Sequence, residues 1–220
     1  MSNENLDLNI KFKDCKEFSA ISRLYNNNRE DSIVLSELLS TNPELMSFTQ
    51  TNKDLYTKVF MIMCSNAFEK RITAIFPLIL SGEINNIKSE KIDSDLEVKE
   101  SMSSFLKRNS FNDKFHTLFE WKQKNNKQNN INKMLSMFGD DLKKQIRDEI
   151  QKSDKLIEGE KRFIIIGRHR NLLVHKGIYD ESLPTNMDLD YIYESYNLAL
   201  EFMAFVFDMI NKIINGGRGG

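Results

Sequence analysis

"FIIIGRHRNLLVHKGIY", which runs from Phe163 to Tyr179, places two arginines, an asparagine and two histidines within eight positions of an otherwise apolar, helix-forming segment. On an ideal helix Arg168 and His175, seven residues apart, fall almost on one line, and Asn171 joins this polar stripe four residues before His175. Arg170 lies about 140° around the helix from His175. The segment therefore gathers polar groups on a helix that also has apolar residues to bury.

The apolar positions of the same segment predict how it packs. Phe163, Ile166, Leu173 and Val174 lie away from the polar stripe, and we expect them to pack into a helical bundle.

These polar residue types are suited to cutting RNA without a metal ion. Histidine titrates near neutral pH and can move a proton, whereas arginine presents a planar cation that stabilises a phosphate. In such a cleavage the ribose 2′-OH loses its proton as its oxygen attacks the adjacent phosphorus, and the leaving 5′-oxygen must be protonated or stabilised. The pattern predicts a site in which an imidazole transfers protons and a guanidinium stabilises the charged phosphate.

Each of these side chains also has a structural interpretation. His175 is placed where a helix dipole favours a histidine, Arg170 could pair with a carboxylate of the bundle, and Asn171 could cap a helix end or bridge two subunits. On an ideal helix Arg168 lies nearer to His175 than Arg170 does. Arg168 is a second choice for the cationic role. His169 is expected to face another way, as a structural or solvated residue.

Composition sets limits on the class of protein. The chain has 220 residues, is 40% hydrophobic and carries a net charge of −1, which favours one domain with a real core and disfavours indiscriminate nucleic-acid binding. Cys15 and Cys64 show neither metal-ligand nor redox spacing, so a reducing environment is the simplest interpretation. The best membrane candidate, residues 202–214, is too short and is interrupted by charge. We expect a cytoplasmic protein that does not enter a membrane.

Helix breakers are scarce along the chain. Only three prolines occur, and no alternating strand pattern of useful length is visible. The first predicted helices cover residues 14–25, 32–39 and 52–76, the last with an interruption near Pro77. Two further helices are predicted to begin at a capping box formed by Ser94 and Glu97 and near Asn112, and one or two shorter helices cover 132–150. The last two are predicted to run from a cap at Asp154 to Gly177 and to begin at a cap at Asp188. The Asn-rich stretch 125–132 is predicted to be a loop. The fold class is all-α, a bundle with a long C-terminal helix.

A resemblance to a known family rests on these residues. "RNLLVH", Arg170 to His175, matches the HEPN signature of an arginine, a polar residue, a short spacer and a histidine, and the Arg168–His169 pair fits its looser form. An earlier apolar helix carries "AFEKR", and a glycine, a loop and one long final helix follow the motif. The chain resembles stand-alone bacterial HEPN ribonucleases of the RiboL-PSP-like type over Asn52 to Asn215. We therefore divide it into an N-terminal helical extension (1–50), a HEPN bundle (51–215) and a flexible Gly-rich tail (216–220).

The resemblance implies an activity and a site. It implies a metal-independent endoribonuclease, without a cofactor, that leaves 2′,3′-cyclic phosphate and 5′-hydroxyl ends. The enzyme would be a homodimer whose two motif helices face each other across the two-fold axis, acting as a toxin or antiphage effector with a possible antitoxin or defence partner. The catalytic residues would be Arg170, Asn171 and His175.

Three further residues are possible supports of that site. They are Arg168, Glu69, which could hydrogen-bond the motif arginine from the "AFEKR" helix, and Tyr179. Many toxin members carry a tyrosine two residues after the histidine; here that position is Gly177, so adenylylation of a tyrosine is not carried over.

Other functions remain as alternatives. A non-catalytic HEPN module could use the same cleft to bind RNA, a nucleotide or a protein partner. A helical DNA-binding protein would need a recognition helix with exposed basic residues, and none is evident. A metal-dependent nuclease is disfavoured because no acidic cluster has ligand spacing, and an ATPase because no phosphate-binding glycine loop occurs.

Overall fold

The computed structural model describes residues 11–80, 130–136, 139–177 and 187–216, and every regular element in these ranges is helical. A 3-10 turn, Pro43–Leu45, connects the first two helices. The helices are α1 (Lys16–Thr41), α2 (Met46–Leu80), α3 (Asn130–Ser136), α4 (Asp140–Gln151), α5 (Asp154–Lys176) and α6 (Leu189–Gly216). The all-α fold with a long C-terminal helix is confirmed.

The first two helices are longer than predicted. α1 continues through "NNNRED", where we predicted a break, and α2 begins at Met46 and includes Pro77. An asparagine costs a helix only about 0.5–0.7 kcal/mol relative to alanine, which is less than the penalty of nucleating a new helix. At Pro77 one lost backbone hydrogen bond does not end a helix whose preceding turns bury Phe68, Ile72 and Ile75.

The core lies where α2, α5 and α6 pack together, and the first three turns of α1 pack against one side of it. Phe68 of α2 is at its centre, because its ring contacts Phe163 of α5, Tyr196 of α6 and Phe18 of α1. Along α6 the apolar residues that recur at helical spacing are buried at Ile192, Tyr196, Ala199, Met203, Val206, Phe207 and Ile210, and half-buried at Leu200 and Ile213.

The ends of α5 and α6 are set by their caps. Ser153, and not Asp154, caps α5, since its hydroxyl accepts a hydrogen bond from the Leu156 amide. Gly177 ends α5 as predicted, in the left-handed conformation (φ 69°) that glycine adopts without strain. Asp188 caps α6 as predicted, and its carboxylate accepts a hydrogen bond of 2.7 Å from the Tyr191 amide.

Two shorter helices, α3 and α4, account for the segment in which we predicted one or two. The helices predicted from Ser94 and from Asn112 lie outside the described residues, as do residues 125–129 of the Asn-rich stretch. Its last three residues, 130–132, were predicted to be loop and are instead the first residues of α3. Cys15 and Cys64 are both free thiols; Cys64 is buried, and burial raises the pKa of its thiol well above the ordinary value. Among the described helices, none is long and apolar enough to cross a membrane.

Candidate functional site

The apolar side of α5 fixes which way the motif residues point. Phe163, Ile166 and Leu173 are buried against the bundle, as predicted. Gly159, one turn before Phe163, lets α6 approach closely, since a Cβ atom there would lie 2.7 Å from the Leu198 carbonyl oxygen. The helix is thus held along its buried side, and its rotation is set by packing and not by the polar motif.

Arg170 lies at the contact between α5 and α2. Its guanidinium Nη2 is 3.4 Å from Oε2 of Glu69, and the two side chains are 16% and 15% exposed. The contact between the motif arginine and Glu69 of "AFEKR" that we considered from the sequence is therefore present. A carboxylate in this position compensates the charge of a largely buried guanidinium and holds the group in one orientation.

His175 and Asn171 lie on a different side of the same helix. His175 is exposed in the last turn of α5, whereas Asn171 and Arg168 are half-buried on the same polar stripe. Because α5 is a regular helix through Lys176, Arg170 keeps its angular separation of about 140° from His175. The structure brings Arg170 to Glu69 and leaves His175 on the outer surface about 7.5 Å further along the helix axis.

Two further residues of α5, His169 and Val174, test the orientation that we predicted for this helix. His169 is fully buried, which selects the structural alternative for this residue. Val174 was predicted to pack into the bundle, and this was wrong, because its side chain is 50% exposed. Gly159 lies against Leu198, and Arg162 lies against Ser195 and Tyr191, so the two helices run antiparallel and the last turn of α5 lies beyond the first residue of α6. An apolar side chain therefore lies on the surface next to His175.

The remaining charged residues of α5 are engaged in different ways. Lys161 forms an i,i+3 ion pair with Glu158 (3.6 Å), and Arg162 binds Glu158 and Ser195 and stacks over the ring of Tyr191. Lys176 is exposed. Tyr179, the sixth residue predicted for the site, lies outside the described residues.

One contact that supports α5 was not predicted from the sequence. Arg147 of α4 forms an ion pair of 2.7 Å with Glu160 of α5, and the two side chains are 19% and 11% exposed. It adds a charged anchor on the first half of α5, upstream of the motif. No sequence signal could have found it, because the two residues belong to separate helices with no fixed angular relation.

The described residues hold no group of three or more histidine, cysteine, aspartate or glutamate side chains placed to bind a metal ion. The arrangement offers three groups within two turns of one helix. They are a guanidinium that a carboxylate orients, an amide, and an exposed imidazole. These groups can bind an anion and move a proton.

The comparisons with known proteins agree with the motif. The family model described as RiboL-PSP-HEPN matches residues 7–212. The match includes α1, whereas the resemblance that we described from the sequence began only at Asn52. No curated protein and no solved structure matches the chain.

Proposed function

The chain belongs to the RiboL-PSP-HEPN family, and on that premise we propose that it is a metal-independent endoribonuclease. Membership of the HEPN superfamily indicates a function related to RNA. The observation that best supports cleavage is that His175, in the last turn of α5, is exposed on the polar stripe that it shares with Arg168 and Asn171, so that an imidazole is open to a substrate.

In the proposed reaction three residues of α5 have different roles. His175 takes the proton from the ribose 2′-OH while the 2′-oxygen forms a bond to the adjacent phosphorus. Arg170 stabilises the negative charge that grows on the phosphate oxygens, and Asn171 adds an amide donor. The bond between phosphorus and the 5′-oxygen breaks, and that oxygen receives the proton that His175 took from the 2′-OH, which returns the imidazole to its neutral form. The products are a 2′,3′-cyclic phosphate and a 5′-hydroxyl.

The angular separation of Arg170 and His175 bears on the oligomeric state. Side chains about 140° apart on one helix do not converge on one phosphate. A homodimer with its two α5 helices facing each other removes this difficulty, since each site then takes groups from both subunits. Arg168 shares the stripe of His175 and is the second candidate for the cationic role, and Tyr179 stays a possible support. A toxin or antiphage effector in the cytoplasm, restrained by an antitoxin or defence partner, is the setting we propose.

A non-catalytic HEPN module is the second candidate. The observation that favours it is the burial of Arg170, which is engaged by Glu69 on a different side of the helix from His175. In such a module this ion pair stabilises the contact between α2 and α5, and the outer face of α5 binds RNA or a protein.

Cleavage of a mixed RNA pool in EDTA separates the two functions. We expect the wild-type protein to leave cyclic phosphate ends and His175→Ala to lose at least about 100-fold in rate, the lower range for removal of a general acid–base group. Lys152→Ala is the control, because this exposed basic residue ends α4 outside the site, and its rate should be unchanged. Undiminished cleavage by His175→Ala would show that the assignment is wrong. Wild-type protein that binds a labelled RNA without cutting it would favour the non-catalytic module.

A further inference from the structure

The ion pair at the motif arginine is longer than a comparable ion pair on the same helix. Arg147 meets Glu160 of α5 at 2.7 Å, a distance typical of a hydrogen bond between two charged groups. The Nη2 atom of Arg170 lies 3.4 Å from Oε2 of Glu69, although these side chains are equally buried. Glu69 therefore holds Arg170 less tightly than Glu160 holds Arg147.

The guanidinium of Arg170 also retains hydrogen-bonding capacity. An arginine carries five N–H groups, and the Nε of Arg170 is buried and meets no hydrogen-bond acceptor in the part of the chain that the structure describes. The contact with Glu69 joins one oxygen to one nitrogen. A phosphate offers several oxygens and binds two N–H groups of one guanidinium at once. A phosphate therefore satisfies Arg170 better than Glu69 does.

The Arg170–Glu69 pair lies at an edge of the contact between α2 and α5. Val174, one turn after Arg170 on α5, is 50% exposed, and Asn66, about one turn before Glu69 on α2, is exposed. Residues three or four apart on a helix are neighbours on its surface. Solvent is thus next to the pair along both helices, and an anion can reach the guanidinium at this edge.

The carboxylate of Glu69 and a phosphate have charges of the same sign. In a largely buried position two negative groups beside one cation repel each other more strongly than they would in water. A phosphate that binds Arg170 with two hydrogen bonds must therefore displace Glu69 from it.

We propose that Glu69 competes with the substrate phosphate for Arg170 and so lowers the affinity of the free protein for RNA. In the free protein the carboxylate occupies the guanidinium. When RNA binds, a phosphodiester takes its place, and Glu69 turns towards the exposed edge at Asn66. The inference rests on the proposed function in one respect, which is that Arg170 binds an RNA phosphate, and it does not require that the RNA is cut.

The competition gives Glu69 opposite effects on stability and on binding. Loss of its charge leaves a largely buried arginine without this ion pair, so the free energy of unfolding falls. The same loss leaves Arg170 open to a phosphate, so RNA binds more tightly. A carboxylate that only positions Arg170 would weaken both the fold and RNA binding when it is removed. The sign of the change in RNA affinity therefore separates competition from positioning.

Fluorescence anisotropy with a labelled single-stranded RNA tests the competition. The ribose 2′-oxygens of this RNA are methylated, so that no 2′-OH can attack and binding is measured without cleavage. We expect Glu69→Gln to lower the dissociation constant about 5-fold, since one ion pair no longer has to be broken. Glu160→Gln is the matched control: it also removes one negative charge from a largely buried ion pair of α5, and its dissociation constant should equal that of the wild type.

Two further variants show how the effect arises. In an Arg170→Gln background, Glu69→Gln should leave the dissociation constant unchanged, because no guanidinium is left to compete for. Glu69→Asp keeps the net charge but withdraws the carboxylate by one methylene group, and it should lower the dissociation constant about 2-fold. Circular dichroism checks that each variant is folded, and Glu69→Asp serves as the test if Glu69→Gln does not fold.

Several results would overturn the competition. They are equal, weaker or undetectable RNA binding by Glu69→Gln, an equal gain in Glu160→Gln, or a gain that persists in the Arg170→Gln background. Failures of the two proposals are distinguishable. Tighter binding by Glu69→Gln, with no cleavage of unmodified RNA by the wild-type protein, upholds the competition and removes the catalytic function. Cleavage that is lost in His175→Ala, with RNA binding unaffected by Glu69→Gln, upholds the function and removes the competition.

Discussion

Arg170 illustrates how one side chain can have a catalytic and a structural interpretation at once. Its guanidinium is mostly buried and bound to Glu69, so removing either partner leaves a largely buried charged group without this ion pair. The motif identified the arginine, but only the contact with α2 shows what orients it. The catalytic roles of Arg170, Asn171 and His175 stay predictions.

A double-mutant cycle measures how strongly Arg170 and Glu69 are coupled. We expect Glu69→Gln and Arg170→Gln each to lower the free energy of unfolding, and the double variant to lose about 1–2 kcal/mol less than the sum of the two. Urea unfolding of the four proteins gives the coupling. The ion pair of the exposed residues Lys13 and Glu201 is the comparison, and its coupling should stay below about 1 kcal/mol. Additive losses at Arg170 and Glu69 would contradict the contact.

At the scale of the element, α5 is held by packing along one side and by its two caps. Ser153 starts it, Gly177 ends it, and Gly159 allows the close approach of α6. These contacts decide that the polar stripe of His175 faces outward. The prediction of α5 was therefore accurate in its extent and in its buried residues Phe163, Ile166 and Leu173. It was wrong at the N-cap, which is Ser153 and not Asp154, and at Val174, which is exposed.

Gly159→Ala tests the close approach of α5 and α6. Its Cβ would meet the Leu198 carbonyl oxygen and the Phe202 Cβ at 2.7 Å, so one helix must move. We expect the free energy of unfolding to fall by about 1–3 kcal/mol, although alanine is a better helix former than glycine by about 1 kcal/mol. Thermal and urea unfolding measure the change. A stabilised variant would mean that helix propensity outweighs the contact and that the two helices are not closely packed.

At the scale of the whole molecule, the N-terminal residues connect the first and last helices. Phe12 is 1% exposed, and its ring contacts Phe18 of α1 and Phe207 of α6. Arg71 of α2 donates hydrogen bonds to the backbone carbonyl groups of Lys11 and Phe12 and holds this segment in place. The segment before α1 is thus part of the same core as α2 and α6.

Phe12→Ala tests whether this segment contributes to stability. Because the ring is buried among aromatic neighbours, we expect its removal to lower the free energy of unfolding by about 3–5 kcal/mol. Ile33→Ala is the control; its side chain is 60% exposed, and its effect should stay within about 0.5 kcal/mol. Urea unfolding followed by circular dichroism compares the two. Equal stability of Phe12→Ala and wild-type protein would show that the segment is not packed.

The sequence by itself determined the all-α class, the extent of α5, its glycine cap, the cap of α6 and the chemical types in the motif. These features depend on local propensity and on periodicity within one helix, which a single chain segment contains. Only the tertiary structure decided that Arg170 turns inward to Glu69, that His169 is buried and His175 exposed, and that α1 continues without a break. Periodicity gives the angles between residues of one helix, but which angle meets a neighbouring helix depends on contacts between residues far apart in the sequence.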